Sequence, residues 1–305
     1  MGLSPASRWP RRRSRLALLL GGTLLIGLVG WPIPRAVAAH APDFLPNRRP
    51  AIGVAPAAGP IAIDGELDDP GWLGAARALN FCEHSPGDQA RPPVDSEAWI
   101  TYDAENLYLA LIAGDDASAV RAGLRDRDEI WRDDYFGIFI DTYGDHAWAY
   151  ELFVNPLGIQ GDLRMAGDGS EDITFDIVWK SRGRVTPQGY QVEIAIPFSS
   201  LRFPDREEQV WRVNFWRDHQ REVRRRYSWA AISRDDPCWM CQWGTLTGIR
   251  GIRSGARIDV IAAAVGQQVG ARPAGGGPTA PFTLEDPAGR LSASLRYGLS
   301  SCSSA

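Results

Sequence analysis

Residues 134–142 alternate without a break: Phe136, Ile138 and Ile140 fall on one side, and Tyr135, Gly137, Phe139 and Asp141 on the other. A period of two predicts a β-strand. Large apolar side chains stand on both sides, so neither face can be left in water. The strand belongs inside a layered sheet structure. Gly144-Asp145 supplies turn chemistry, residues 148–154 return as a second strand, and Asn155-Pro156-Leu157-Gly158 ends it because Pro has no ladder donor. Trp131 stands just before the first strand, beside Asp133 and Asp134. A planar ring flanked by carboxylates at a strand end has the chemistry of a sugar-binding loop.

The remaining chain repeats the theme. Strands are predicted at 61–63, 97–102, 107–113, 175–182, 190–196, 211–217, 227–232 and 243–249. Between them lie turns such as Asp64-Gly65 and 103–106, and two longer polar loops, 115–133 and 162–172. Asp69-Pro70 reads as the start of a short helix that carries Trp72 into the core. About ten short strands with regular turn signals and almost no helix predict an all-β protein, an antiparallel β-sandwich; a single closed barrel is the alternative architecture.

The first 38 residues read as a signal peptide. Arg11-Arg12-Arg13-Ser14-Arg15 precedes the apolar run 16–31, and Ala36-Val37-Ala38 fits a small-x-small cleavage site. Residues 39–58, rich in Pro and Ala, form a leader. Export places the protein in the periplasm or outer membrane of a bacterium. The net charge is −4, and it becomes more negative once the six Arg of the signal segment are removed, which argues against nucleic acid as a partner. Export also permits disulfides. The pattern around Cys238-Trp239-Met240-Cys241 is all-β rather than the strand-to-helix setting of a redox C-x-x-C, so the motif is either a local loop bridge or two unpaired thiols.

Several segments together resemble a carbohydrate-binding module of family 9. They are IAIDGELDDPGW (61–72), ITYDAENLYLAL (100–111), DDYFGIFID (133–141), ELFVNPLG (151–158), YQVEIAIPFSSL (190–201) and WRVNFWR (211–217), and the likeness spans residues 58–250. The resemblance implies a β-sandwich that binds a glycan and serves carbohydrate breakdown. Two Trp rings would clamp a sugar: Trp131 by its place before the central strand, and Trp239 ahead of the last strand. Asp236, with Asp133 and Asp134, would accept hydroxyl hydrogen bonds. The resemblance also implies structural calcium, with Asp141 and Asp145 as candidate ligands beside Asp115, Asp116 and the acidic stretch 168–172. One departure stands out: Gly137 occupies the central strand where the family carries an acid. Most of the 12 Trp are expected in the core, among them Trp99, Trp148, Trp179, Trp211, Trp216 and Trp243.

Two other classes compete. A glycoside hydrolase would need a carboxyl pair across a cleft, for which Glu151 and Glu193 are the strand-borne candidates, each equally suited to pairing with Arg. No nucleophile motif accompanies the four His, and no catalytic residue is assigned. A haem-binding sandwich would need Met165 with His146 or His219 as axial ligands. Finally, residues 251–305 carry a strand from 257 and a strict alternation of Leu291, Ala293, Leu295, Tyr297 and Leu299 with Ser292, Ser294, Arg296 and Gly298. That is the pattern of a membrane β-barrel strand. The expectation is a truncated barrel region that tethers the module at the outer membrane.

Overall fold

The computed structural model describes residues 44–253 and, in part, residues 258–297. The signal segment, the first part of the leader and Cys302 lie outside the described residues. The strands, in chain order, are β1 (Ala51–Gly53), β2 (Ala76–Ala78), β3 (Cys82–Ser85), β4 (Ser96–Tyr102), β5 (Asn106–Gly114), β6 (Tyr135–Asp141), β7 (Trp148–Val154), β8 (Gln160–Ala166), β9 (Glu171–Asp172), β10 (Lys180–Thr186), β11 (Gly189–Pro197), β12 (Glu208–His219), β13 (Arg225–Ser228) and β14 (Gly244–Arg250). They form a nine-stranded sheet, β1-β14-β12-β6-β7-β8-β9 with β13 and β3 attached beside β12, and a five-stranded sheet, β10-β11-β5-β4-β2. All pairings are antiparallel except β1 with β14.

The inner faces meet in a continuous apolar core. Phe136, Ile138 and Ile140 of β6, Leu152 of β7 and Val213 and Phe215 of β12 face Ile100, Leu109, Val192 and Ile194 from the smaller sheet. Each such side chain contributes roughly 1.5–3 kcal/mol when fully buried. Every residue of β6 is buried, so both of its faces are covered. Polar groups tie the sheets together at one end. The fully buried Arg217 of β12 donates to the carbonyls of Asp95 (2.9 Å), just before β4, and Gly114 (3.0 Å), the last residue of β5, and to Asp115 (3.2 Å). Its guanidinium also lies over the rings of Tyr190 and Tyr227.

Several local expectations change in the folded chain. Residues 51–53 of the leader form an edge strand, and Ile52 and Val54 enter the core. Residues 61–63 are not a strand. They cover the outside of the smaller sheet with a 3₁₀ turn, Pro70–Trp72. Trp72 is buried there with Tyr108, Ala110 and Ala195, on the outer side of that sheet rather than between the two sheets. Its Nε1 donates to Glu193 (2.9 Å), whose other oxygen accepts from the amides of Asp64 (3.0 Å) and Gly65 (2.8 Å). Glu193 therefore fastens this cover and has no Arg partner among the described residues. Much of the polar stretch 162–172 is strand β8. Asp162 is buried within it because Arg127 (2.9 Å) and the amide of Ile177 (2.7 Å) meet its carboxylate.

In the tail, β15 (Ile258–Gln267) and β18 (Ala288–Tyr297) pair antiparallel along their length, with short strands β16 (Gly270–Ala271) and β17 (Thr283–Leu284) between them.

The contact between β6 and β7 leaves no room at Gly137. A Cβ there would lie 2.0 Å from the Leu152 carbonyl oxygen and 2.5 Å from the Phe153 ring. Gly137→Ala is expected to destabilise the sandwich by roughly 1–3 kcal/mol, the usual range for overpacking. Urea unfolding monitored by Trp fluorescence is the check; an unchanged midpoint would contradict the close approach.

Candidate functional site

The larger sheet carries a second apolar cluster on its outer face, away from the smaller sheet. Alternation puts it there. Tyr135 and Phe139 are the odd-numbered partners of the inward Phe136, Ile138 and Ile140 on β6, and Phe153 and Trp216 do the same on β7 and β12. These rings floor a cleft of about 770 Å³. Trp131 meets Tyr135 and Phe153 edge-on, with centroids 5.5 and 6.2 Å apart. Trp239 meets Phe139 and Trp216 edge-on at 5.0 and 5.9 Å. Phe153 and Phe139 are 5.4 Å apart, so one ring chain, Trp131–Phe153–Phe139–Trp239, runs without a gap. Edge-to-face stacking is the favoured geometry of such rings. Trp131 and Trp239 are both half-buried and both line the cleft.

The loop bearing Trp131 is anchored by the two acids that precede β6. Asp133 accepts from the amide of Gly123 (3.1 Å), from Arg125 (3.0 Å) and from Asn155 Nδ2 (3.0 Å). Asp134 accepts from the amides of Arg121 (2.9 Å) and Gln220 (2.7 Å) and from Arg221 (2.9 Å). Both are buried and neither lines the cleft, so their position is that of loop anchors and not of groups reaching a ligand. Asp236 is elsewhere too. It caps the amide of Cys238 (3.0 Å) and lines a separate hollow with Arg48 and Arg49. Of the five residues expected to touch a sugar, the fold brings only Trp131 and Trp239 together. The C-x-x-C motif is a disulfide, Cys238–Cys241, with Cα atoms 5.4 Å apart, and Trp239 sits inside the ring it closes.

A residue not assigned to the binding site by sequence stands in the cleft. Glu151 on β7 pairs with Phe139 on β6 and shares the outer face with Phe153. It is 3% exposed, and its Oε1 has no hydrogen-bond partner among the described residues. Burial, with a smaller push from nearby Glu171, raises its carboxyl to about 8. Arg pairing does not relieve it. The two guanidiniums in the cleft wall, Arg224 and Arg226, are tied to the buried Asp218 at 2.9 and 3.5 Å. The signal in the sequence was the alternation Ala149, Glu151, Phe153, which puts an acid on an otherwise apolar face.

The expected metal ligands have other roles. Asp141 accepts from the amides of Tyr143 (3.1 Å), Gly144 (2.7 Å) and His146 (3.0 Å), and Asp145 from that of Ala147 (3.0 Å). Both carboxylates shape their own turn. Among the described residues, acidic oxygens converge at Asp128, Asp162 and Asp176, within 4.8 Å of one another. Arg127 reaches all three, at 2.9 Å to Asp162, 3.5 Å to Asp176 and 3.9 Å to Asp128. A guanidinium already sits where a cation would, so this set does not fit calcium. A haem pair is also disfavoured. Met165 packs in the outer cluster, whereas His219 is tied to Tyr227 (2.9 Å) and Asp115 (3.0 Å), next to the inward Arg217.

The electrostatics of Glu151 have a sign that can be tested. Its folded-state pKa lies above the ordinary carboxylate value, so the contribution to stability is present at acid pH and is lost as pH rises through about 8. The melting temperature of the parent protein should fall between roughly pH 5 and 8 relative to that of Glu151→Gln, in which no proton is lost. Parallel pH profiles for the two proteins would refute the buried, unpaired state.

Among solved structures, the fold is similar to that of a putative carbohydrate-binding protein from Bacteroides uniformis, with a TM-score of 0.50 and 15% identity over 65% of this chain and 98% of that one. A family 9 carbohydrate-binding module from Caldicellulosiruptor kristjanssonii, solved with cellotriose, has a TM-score of 0.44 and 17% identity over 67% and 95% of the two chains. No curated protein matches the chain. The family described as carbohydrate family 9 binding domain-like matches residues 63–246, which include nearly the whole sandwich and every residue of the aromatic cleft floor. The chain belongs to the family 9 carbohydrate-binding domain-like proteins.

Proposed function

We propose that the outer-face cleft is the saccharide-binding site of this module, with Trp131 and Trp239 as its two platforms. The observation that carries the reading is their convergence. Two half-buried Trp from loops more than a hundred residues apart line one cleft, joined by an unbroken aromatic floor. Sugar rings present C–H faces that pack on indole, and their edges present hydroxyls. The carboxyl of Glu151 is placed to meet such a hydroxyl, as donor while protonated. A cleft of about 770 Å³ lies within the usual range for small-ligand sites, about 300–1,000 Å³. Both platforms are held before any ligand arrives: Trp131 by the Asp133 and Asp134 anchors, Trp239 by the disulfide. Such preorganisation lowers the ordering cost of binding. The role is recruitment to a glycan in the service of its breakdown.

We also propose export, on the strength of the charged, apolar and small-residue pattern of residues 1–38, and attachment to the outer membrane through the tail. The hairpin β15–β18 supports this. Leu291 is 88% exposed, and its register partner Ala264 is exposed as well. An uncovered apolar row is what a lipid-facing strand presents.

Three measurements follow. In affinity electrophoresis against a panel of soluble polysaccharides, Trp131→Ala should abolish the retardation shown by the parent protein. The melting temperature should fall only modestly, because one face of the ring is already in the cleft. A loss of roughly 3–5 kcal/mol in stability would instead mark Trp131 as core. Reduction of the Cys238–Cys241 bridge should weaken retention by freeing Trp239, and equal retention with and without reductant would count against the second platform. Limited proteolysis should trim the tail to about residue 250 before the sandwich is cut; a protected tail would remove the support for a barrel segment.

A further inference from the structure

The charge around the cleft is unbalanced in a way that a neutral sugar does not explain. Its cations are accounted for: Arg224 and Arg226 are bound to Asp218, and the Arg224 NH₂ group also donates to the Tyr135 hydroxyl (2.9 Å). Its carboxylates are only partly so: Asp128 and Asp162 in the lining are met by Arg127, at 3.9 and 2.9 Å, and the three glutamates are not paired among the described residues. Glu129 and Glu171, both exposed in the lining, form no ion pair among the described residues. Glu151 lines the same cleft, more than nine-tenths buried, with Oε1 unpartnered among the described residues. Glu171 is near enough to disfavour ionisation of Glu151, so the two carboxyls share one region of the wall. A buried acid with a second acid beside it and no cation paired with it among the described residues is poorly placed unless a ligand brings the charge.

Resting on the saccharide-binding reading above, we infer that the cleft selects glycans bearing a free amine, with the ligand's ammonium group seated against Glu151 and Glu171. The aromatic floor takes the sugar face, and the ammonium replaces the missing counter-charge. Glu151 is protonated before binding, so the seated ammonium drives its proton to the buffer and leaves a carboxylate–ammonium pair. A ring hydroxyl or an acetamido group in the same place carries no charge and releases no proton.

Calorimetric titration of the full chain with three tetrasaccharides separates the cases: β-1,4-linked glucosamine, its N-acetylated form, and cellotetraose. They share a backbone and differ in the group at one ring position. At mildly acidic pH the amino form should bind at least about tenfold more tightly than cellotetraose. Titration in buffers of different ionisation enthalpy should register release of close to one proton for that ligand alone. Glu151→Gln should bring the amino form and cellotetraose within about twofold of each other. Because Glu151 is buried, Glu171→Gln on the exposed rim is the second variant; it should lower the preference for the amine without altering unfolding. If cellotetraose or the acetylated form binds as tightly as the amino form, the inference about the amine fails and sugar binding by the cleft stands. If none of the three binds and no polysaccharide of the panel is retained, both fail.

Discussion

Strand β6 is apolar on both faces, and the rest of the sandwich answers that constraint. Phe136, Ile138 and Ile140 need one cover and Tyr135 and Phe139 need another. The smaller sheet supplies the first completely. The second comes from β12 neighbours, from Ile130 and Trp131 in the loop before the strand, and from Met240 and Trp243 in a segment far along the chain. That second cover is incomplete, and the gap in it is the cleft. Cleft and core therefore arise from the same force, the removal of large apolar side chains from water. The difference lies only in how fully each face is closed.

The close approach at Gly137 makes the floor possible. With no side chain on Gly137, the ring of Phe153 lies across the β6 backbone and comes into contact with Tyr135 and Phe139. An acid at this position of the central strand, as in the family pattern, has no space here. A carboxyl enters the cleft one strand over, from Glu151, opposite Phe139. The departure at Gly137 and the presence of Glu151 are thus two parts of one arrangement on β7: the Phe153 ring crosses β6 at Gly137, and the acid stands two residues before it.

Polar groups in this protein are mostly fasteners. Asp133 and Asp134 anchor the Trp131 loop, Glu193 holds the Trp72 cover, Asp141 closes its turn, and Arg217 links the sheets by reaching across their end. Each is buried and each meets partners, as burial requires. Glu151 breaks that rule. It is a buried carboxyl with Oε1 unpartnered among the described residues, and it stands in the cleft.

The sequence alone determined the class of fold, the two-faced strand at its centre, the likeness to family 9, and the two Trp that flank the cleft. These are local or additive signals: a period of two, a turn residue, a large ring in a short loop. The tertiary structure decided what each carboxylate does. Asp134 and the Gln220 amide are 86 residues apart, and Glu193 and the Asp64 amide 129 apart, so no reading of neighbours could tell an anchor from a ligand. It also decided between bridge and free thiols at Cys238 and Cys241, set Trp72 outside the smaller sheet, and turned the polar run around Asp162 into a strand by bringing Arg127 to it. The alternation of side chains is written residue by residue along a strand. The partner of a buried charge is set by whichever distant segment folds against it.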